Sequence, residues 1–324
     1  MRVLVTGIDG FVGSHAAEYL LGIDGVDVHG TILSDAFAPS IQHVASRLHL
    51  HVVDITDANR VQQLFDEIRP HRVIHLAAQA YVPAAVEAPA LTFQTNIQGG
   101  LSVLEAGRML GTQQHQCSVL IVSSGEVYGR VPADQQPITE DFPLAPTNPY
   151  ATSKAGIDLI AREYRRTFGV DVVVARPFNH AGPRQHPQFV VSDFGRHFAL
   201  IAAGKASAVI QVGNLDARRD FTDVRDVVRA YWLLLDRHAE QSLFNICSGT
   251  AYMIREVVAL FTDITGIQVD LRTDPARVRP YDNPLVLGSY ERLRKVTGWT
   301  PSIPFRQTLQ DVFAYWQERL SSET

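Results

Sequence analysis

Short β-branched apolar runs alternate with longer apolar segments of helical period along the first 180 residues. Arg2–Val5 is continuously apolar after its first residue, as a strand buried on both faces requires. It breaks into a glycine-rich turn, and a periodic apolar segment then ends near Leu21. Val26–Ile32 alternates and predicts a second strand. Leu48–Val53 predicts a third, followed by a helix to Ile68 that Thr56 or Asp57 would cap. Arg72–Leu76 predicts the fourth strand, Leu91–Leu110 a long helix carrying Asn96, and Ser118–Ser123 the fifth strand. Asn148–Phe168 reads as a second long helix and Val170–Ala175 as a sixth strand. This rhythm predicts an α/β fold, a Rossmann-type doubly wound parallel sheet with ligands at the C-terminal strand ends.

The rhythm loosens beyond Arg176. Helices are expected over Asp193–Gly204, Asp223–Arg237, Arg255–Thr265 and Pro304–Leu320, with a seventh strand at Ser242–Ile246. This half reads as a smaller α/β lobe interleaved with the end of the sheet. The division expected is residues 1–178 plus about 222–247 for a cofactor domain, and about 179–221 plus 248–324 for a substrate lobe. No internal repeat or low-complexity segment is visible.

The opening turn, Thr6-Gly7-Ile8-Asp9-Gly10-Phe11-Val12-Gly13, joins a strand to a helix N-terminus. Glycine lets the backbone approach a pyrophosphate, and unpaired N–H groups and the helix dipole favour negative charge. Its spacing is G-x-x-G-x-x-G, and a tight turn with close helix–strand packing accounts for the same residues. An acid at the end of the second strand would select NAD. Gly30 and Thr31 stand there instead, with no carboxylate before Asp35, which tilts the choice toward NADP(H), with NAD(H) as the second option.

Bulk composition narrows the field. The 324 residues are 46% hydrophobic and 19% charged with a formal charge of −5, so no electrostatic case exists for nucleic acid or an anionic membrane. No apolar run approaches the roughly 18 residues of a membrane helix. The chain opens on its first strand without a leader, and the two cysteines, Cys117 and Cys247, each flank an apolar run. Buried thiols and a cytoplasmic location are expected. His49 and His51 alternate along the third strand with no third ligand evident, so they read as strand residues and no metal is expected.

Two further motifs carry chemistry. Tyr150 and Lys154 stand four apart at the start of a helix, hence on one face. An adjacent ammonium favours the phenolate, and such a tyrosine can exchange a proton with a carbonyl or alcohol oxygen. Ser123-Ser124-Gly125-Glu126 follows the fifth strand, where a hydroxyl can hydrogen-bond a substrate oxygen. Taken singly, the first also suits a solvated helix surface and the second a capped turn.

Together and in this order, TGxxGFxG, the serine after strand five and YxxxK resemble the extended short-chain dehydrogenase/reductases. Arg176-Pro177-Phe178-Asn179-His180-Ala181-Gly182-Pro183 and the stretch Gly213–Val227 are similar to the branch acting on GDP-mannose derivatives, as are Arg277-Val278-Arg279-Pro280 and Gly298-Trp299-Thr300-Pro301. The resemblance implies Ser124, Tyr150 and Lys154 as catalytic, with Glu126 where dehydratases of the branch have a glutamate. It implies a cofactor site of Gly7, Asp9, Gly10, Phe11, Val12, Gly13, Thr31, Asp54, Ile55, Leu76, Ala77, Ala78, Tyr150, Lys154 and Pro177. A GDP-sugar would meet Gln79, Ser124, Glu126, Asn179, Arg184, Val190, Asn214, Arg219 and Arg279. Taken alone, each arginine also reads as a surface charge.

The activity implied is NAD(P)H-dependent reduction of the C4 keto group of GDP-4-keto-6-deoxy-D-mannose to GDP-D-rhamnose. The loop Gly182–Phe194 is similar to that of the reductases, and the dehydratases' inserted loops are absent from this shorter chain. A GDP-mannose 4,6-dehydratase or another nucleotide-sugar 4-epimerase or dehydratase is the alternative that Glu126 keeps open. A non-catalytic NADP-binding regulator is more remote, because the catalytic residues are intact. The same resemblance implies a homodimer joined through a four-helix bundle of Leu91–Leu110 and Asn148–Phe168.

Overall fold

A computed structural model describes residues 1–36, 39–236, 242–277 and 283–322. The first half contains β1 (Arg2–Thr6), α1 (Phe11–Leu21), β2 (Asp27–Ile32), β3 (His49–Val52), α2 (Ala58–Ile68), β4 (Arg72–His75), α3 (Val82–Glu87), α4 (Pro89–Phe93), α5 (Gly99–Thr112), β5 (Ser118–Val122) and α6 (Pro149–Phe168). It is followed by β6 (Val172–Pro177), β7 (Asn179–Ala181), α7 (Val190–Ala202), β8 (Val209–Val212), β9 (Arg218–Asp223) and α8 (Val224–Asp236). The remainder supplies β10 (Leu243–Ile246), β11 (Ala251–Met253), α9 (Ile254–Thr265), β12 (Asp270–Thr273), β13 (Leu285–Val286), α10 (Glu291–Thr297) and α11 (Phe305–Ser322).

Seven strands form one parallel sheet in the order β3-β2-β1-β4-β5-β6-β10. Strand direction of travel reverses between β1 and β4, which opens a crevice at their C-terminal ends. Both faces of the sheet are covered, which is why β1 is continuously apolar. Val3 and Val5 pack with Leu20 and Val227 on one face, while Leu4 packs with Leu64, Val103 and Ile157 on the other. Each such aliphatic side chain contributes about 1.5–3 kcal/mol on burial.

One of the two expected caps is the one used, and two boundaries differ from expectation for physical reasons. Asp57 caps α2, its carboxylate accepting from Asn59 N and Arg60 N. The sixth strand extends through Pro177, because Arg176 and Pro177 sit in register with Asn245 and Ile246 of β10. The helix expected over Leu91–Leu110 is broken by a π-helical turn, Gln94–Gln98, between α4 and α5. The widened turn carries the buried Asn96. Its Oδ1 accepts from Gln79 N at 2.8 Å, and its Nδ2 donates to Gln79 O at 3.0 Å and to Ser153 Oγ at 2.8 Å. One side chain thereby joins the loop after β4 to α6.

The remaining strands form smaller sheets. β9 pairs with β11, β13 and β7, and β8 pairs with β12. Helices α7, α9 and α11 close a separate core around Phe198, Phe261, Leu309 and Trp316.

Candidate active site

The β1–α1 loop is built for close approach. Gly7 has φ +67°, and a Cβ there would lie 3.0 Å from the Ala77 Cα. A Cβ on Gly13 would come within 2.3 Å of the Gly7 carbonyl oxygen. The Thr31 hydroxyl accepts from Gly7 N at 3.1 Å, and the Thr31 carbonyl accepts from Ile8 N at 3.1 Å. Thr31 therefore braces the loop from β2. Helix α1 begins at Phe11 and Val12 with no side-chain cap, so its first N–H groups stay open to an anion. The Asp9 carbonyl accepts from Ser40 Oγ, which ties the loop to the segment after β2.

Across the crevice, Thr6 Oγ1 accepts from Leu76 N and Ala77 N, each at 3.1 Å, which holds Leu76, Ala77 and Ala78 against the loop. Asp54 follows β3 and folds its carboxylate onto Thr56 N and Oγ1, while Ile55 is buried beside Gly99. Glycines without Cβ, an open helix terminus and small residues opposite fit a dinucleotide laid across the β1–β4 reversal.

Thr6 Oγ1, accepting two N–H bonds, gives its own proton to the buried His75 Nδ1 at 2.9 Å. Burial, helped by nearby Lys154, pushes the His75 pKa down to about 3. His15 is pushed down to about 4 by burial and Arg184. Both imidazoles stay neutral when folded but protonate near 6.5 when unfolded, so the unfolded state binds more protons as pH falls from 6.5 toward 4. Stability is complete above pH 6.5 and is lost on acidification through that window. A series of melting temperatures from pH 7.5 to 4.5 is expected to fall below 6.5, and less steeply in His75→Gln.

Four side chains meet at the ends of β5 and α6. Ser124 caps the turn Gly125–Tyr128 by accepting from Glu126 N at 3.1 Å, so its hydroxyl proton remains to be donated. Tyr150 lies close enough to Ser124 and Glu126 for both to act on its phenol. Lys154 is buried, donates from Nζ to the Val122 carbonyl at 2.8 Å, and has its pKa pushed down by burial to about 8. Glu126 accepts from Asn148 Nδ2 at 3.0 Å, and Asn148 Oδ1 caps α6 through Ala151 N at 2.8 Å. Tyr150 is raised above the usual phenol range, first by burial and then by the Glu126 charge. The lowering expected from an adjacent ammonium is outweighed here: Lys154 Nζ bonds the Val122 carbonyl, and burial and the Glu126 carboxylate act on Tyr150.

Helix α6 is fixed one turn beyond Lys154. The fully buried Asp158 accepts from Arg176 Nε at 2.7 Å and Nη2 at 3.1 Å, and from Arg162 Nε at 2.9 Å. Arg176 Nη1 donates to Tyr128 Oη at 2.9 Å, which donates to Asn245 Oδ1 at 2.6 Å. The guanidinium of β6 thus locks the helix of Tyr150 to the sheet and to the turn after Ser124.

The match to protein families decides the identity. Residues 4–312 match the family described as GDP-mannose 4,6 dehydratase. The chain belongs to the GDP-mannose 4,6-dehydratase family. Among its relatives, a GDP-6-deoxy-D-mannose reductase of Pseudomonas aeruginosa is 37% identical over 99% of this chain and 99% of its own length. A GDP-mannose 4,6-dehydratase of Yersinia enterocolitica is 30% identical over 97% and 93%. The structure of RMD from Pseudomonas aeruginosa complexed with NADPH superposes with a TM-score of 0.84 at 36% identity, covering 98% of this chain and 99% of that one.

Within this member of the GDP-mannose 4,6-dehydratase family, the expected substrate residues divide. Pro177, ending β6, leads into Asn179 on β7, and Val190 opens α7; the last two are half-buried. Gln79 spends its side-chain amide locally, on Tyr81 N, Tyr81 O and Thr92 Oγ1. Asn214 closes a turn through Asp216 N, and Arg219 Nη1 donates to the carbonyls of Arg218 and Asn283. Arg184, at φ +72°, grips both oxygens of Glu18 and donates to Ser14 Oγ and His15 Nδ1. It ties its loop to α1, so its guanidinium is committed there rather than open to a diphosphate. Arg279 lies outside the described residues.

Other functional positions went unread. Asn148, directly before Pro149, carries an N-cap signature that was available. Thr6, Asp158 and Tyr128 had no local signal, because each acts on a residue far away in sequence.

Proposed function

We propose that this protein is an NADPH-dependent reductase that converts the C4 keto group of GDP-4-keto-6-deoxy-D-mannose to the alcohol, giving GDP-D-rhamnose. The observation that carries the reading is the match to a GDP-6-deoxy-D-mannose reductase, 37% identical over 99% of both chains, in a chain that keeps Ser124 and Tyr150 as proton donors at the end of β5 and the start of α6. Reduction of a ketone needs a proton donor, whereas a dehydratase cycle opens by removing a proton from the C4 hydroxyl. NADPH, when bound, supplies a hydride to the carbonyl carbon. Ser124 donates a hydrogen bond to the carbonyl oxygen and stabilises the charge that develops there. Tyr150 Oη gives its proton to that oxygen as the alkoxide forms. Lys154, mostly protonated at neutral pH and one helical turn beyond Tyr150, is the cation that would compensate the phenolate left behind. Glu126 raises the Tyr150 proton affinity and holds Asn148 at the start of α6.

Length supports the same choice. The match with the Pseudomonas reductase spans 323 positions, while that with the Yersinia dehydratase runs over 351, more than this chain's 324 residues. The dehydratase therefore carries segments with no counterpart here. Use of NADPH is supported by the end of β2, where Thr31 and Ile32 give way to exposed Leu33 with no carboxylate. NADPH and NADH supplied in parallel with the 4-keto sugar, with the product read by NMR, test both cofactor and reaction. Consumption of NADPH and a new C4 proton are expected, and no turnover with either nicotinamide would overturn the proposal.

The division into a cofactor domain of residues 1–178 plus about 222–247 and a GDP-sugar lobe of the rest belongs to this reading. It is supported by β10 joining the large sheet while β9, β11 and β13 join another. The lobe would meet the sugar nucleotide through Asn179, Val190, Asn214, Arg219 and Arg279. Two buried free cysteines, Cys117 and Cys247, favour the cytoplasm, and no described helix is long and apolar enough to cross a membrane. A homodimer through α4, α5 and α6 is supported by exposed Leu91, Met109, Leu159 and Phe168 on those helices. Light scattering at micromolar protein is expected to give twice the 35.9 kDa chain mass, and Leu159→Arg to shift it to the monomer. A monomeric wild type would refute the dimer.

A further inference from the structure

We propose that Asp27, His29 and His49 form a binding site for one zinc-class divalent cation at the β2–β3 edge of the sheet, with His51 as its outer partner. Residues two apart on a strand share a face, and the parallel register sets His29 opposite His49 and Thr31 opposite His51. Asp27, His29, His49 and His51 therefore project from one side of two neighbouring strands. The third ligand that His49 and His51 lacked in the linear sequence is brought to them from β2.

The geometry converges on a point. Asp27 Oδ1 lies 2.9 Å from His49 Nε2, and Asp27 Oδ2 lies 3.3 Å from His29 Nε2. One carboxylate thus faces both ε nitrogens, and one ligand atom from each of the three residues lies within 4.8 Å of the others. Around a tetrahedral zinc ion with Zn–N near 2.0–2.1 Å, ligand atoms stand about 3.4 Å apart. Asp27 and His49, with 47% and 60% of their side chains exposed, can turn toward the more enclosed His29 to reach that spacing. His29 packs against His49 with ring centroids 4.7 Å apart and meets His51 edge to edge with centroids 5.4 Å apart and planes 19° apart, which restrains its ring plane. Its Nδ1 lies 3.1 Å from His51 Nε2. That contact serves either tautomer, and with a metal on Nε2 it becomes the Nδ1–H donor bond that orients a ligating histidine.

Two imidazoles and a carboxylate suit zinc, cobalt, nickel or copper rather than magnesium or calcium. Three protein ligands on an exposed edge leave a fourth position for water. Arg2 and Arg60 are the cations near this cluster and Glu67 an added anion. No other group of three such ligands occurs among the described residues, and the second histidine pair, His71 and His115, has only its two rings. The cluster lies toward the N-terminal ends of β2 and β3, away from the crevice that holds Tyr150 and the glycine loop. A cation there would tie edge strand β3 to β2 and take no part in the chemistry.

The test uses the full chain without an affinity tag, stripped with chelator and titrated with Zn2+ by calorimetry and with Co2+ by visible absorption. One saturable site per chain is expected, with Co2+ bands of a four- or five-coordinate nitrogen/oxygen site and a melting temperature raised by Zn2+. His51→Ala should weaken binding about 10- to 100-fold, as loss of an outer partner does. His49→Ala and His29→Ala should weaken it further, with keto-sugar reduction unchanged in all three. His49 is exposed, so its replacement leaves the fold intact, which NADPH binding by the variant verifies. Absence of saturable binding, or unchanged affinity in His49→Ala, would overturn the proposal.

Discussion

Tyr150→Phe lowers turnover of the 4-keto sugar by about 10²- to 10⁴-fold, the range for loss of a positioned general acid. The phenyl ring keeps the packing at the start of α6, and Asn148 still caps the helix through Ala151 N. NADPH affinity therefore stays roughly unchanged, because the glycine loop and Lys154 are untouched. Fluorescence titration with NADPH beside steady-state kinetics separates the two effects. A variant that retains full turnover would remove Tyr150 from proton transfer and return the role to Glu126 or water. The rest of the site makes a second expectation about this residue: Glu126→Gln removes the charge that raises Tyr150, so the phenol pKa moves down. Turnover then begins to fall at a lower pH than in the wild type, since the reaction needs the protonated phenol.

Asp158→Ala destabilises the fold by about 3–5 kcal/mol, the cost of leaving one member of a buried ion pair without its partner. Arg176 is buried on β6, and its Nε and Nη2 donate to this carboxylate. Arg162 also loses an acceptor, although it is partly exposed and can turn to water. The double variant Asp158→Leu/Arg176→Met recovers much of the loss, because apolar side chains of similar volume remove both charges together. Thermal melts of the three proteins at pH 7.5 measure this. A melting temperature for Asp158→Ala equal to the wild type would mean that water reaches Arg176 and that the pair does not lock α6. Loss of turnover larger than loss of stability in the double variant would show that the pair also aims Tyr150.

The parallel sheet was legible because its strands are buried on both faces and must be continuously apolar, as Val3-Leu4-Val5 and Val119-Leu120-Ile121 are. The glycine loop, Ser124 and the Tyr150–Lys154 spacing were legible because their chemistry is local. The second lobe was harder to read. Strands β8, β11 and β12 are short and partly exposed, so their pattern is weak. In the stretch Arg218–Asp226, where Arg219 was expected to meet the GDP-sugar, the acids make the visible contacts. Asp220 accepts from Ser248 N, Ser248 Oγ and Gly249 N, which pins the loop after β10. Asp223 holds Arg225 and Thr308, and Asp226 holds Ser302 and Ile303 N. Apart from Asp223 with Arg225, two residues on at the start of α8, those contacts span 28 to 85 residues, so nothing local announces them. Arg184 was misread for the same reason, since its partner Glu18 lies 166 residues away.

The sharpest separation of reductase from dehydratase comes from GDP-mannose offered alone. Enzyme supplied with NADP+, and given no added reductant, is incubated with GDP-mannose and the sugar is followed by NMR. A protein whose Tyr150 starts protonated, and whose Glu126 is engaged with Asn148, is expected to leave GDP-mannose unchanged. Accumulation of GDP-4-keto-6-deoxy-D-mannose would contradict the account and make the protein a dehydratase.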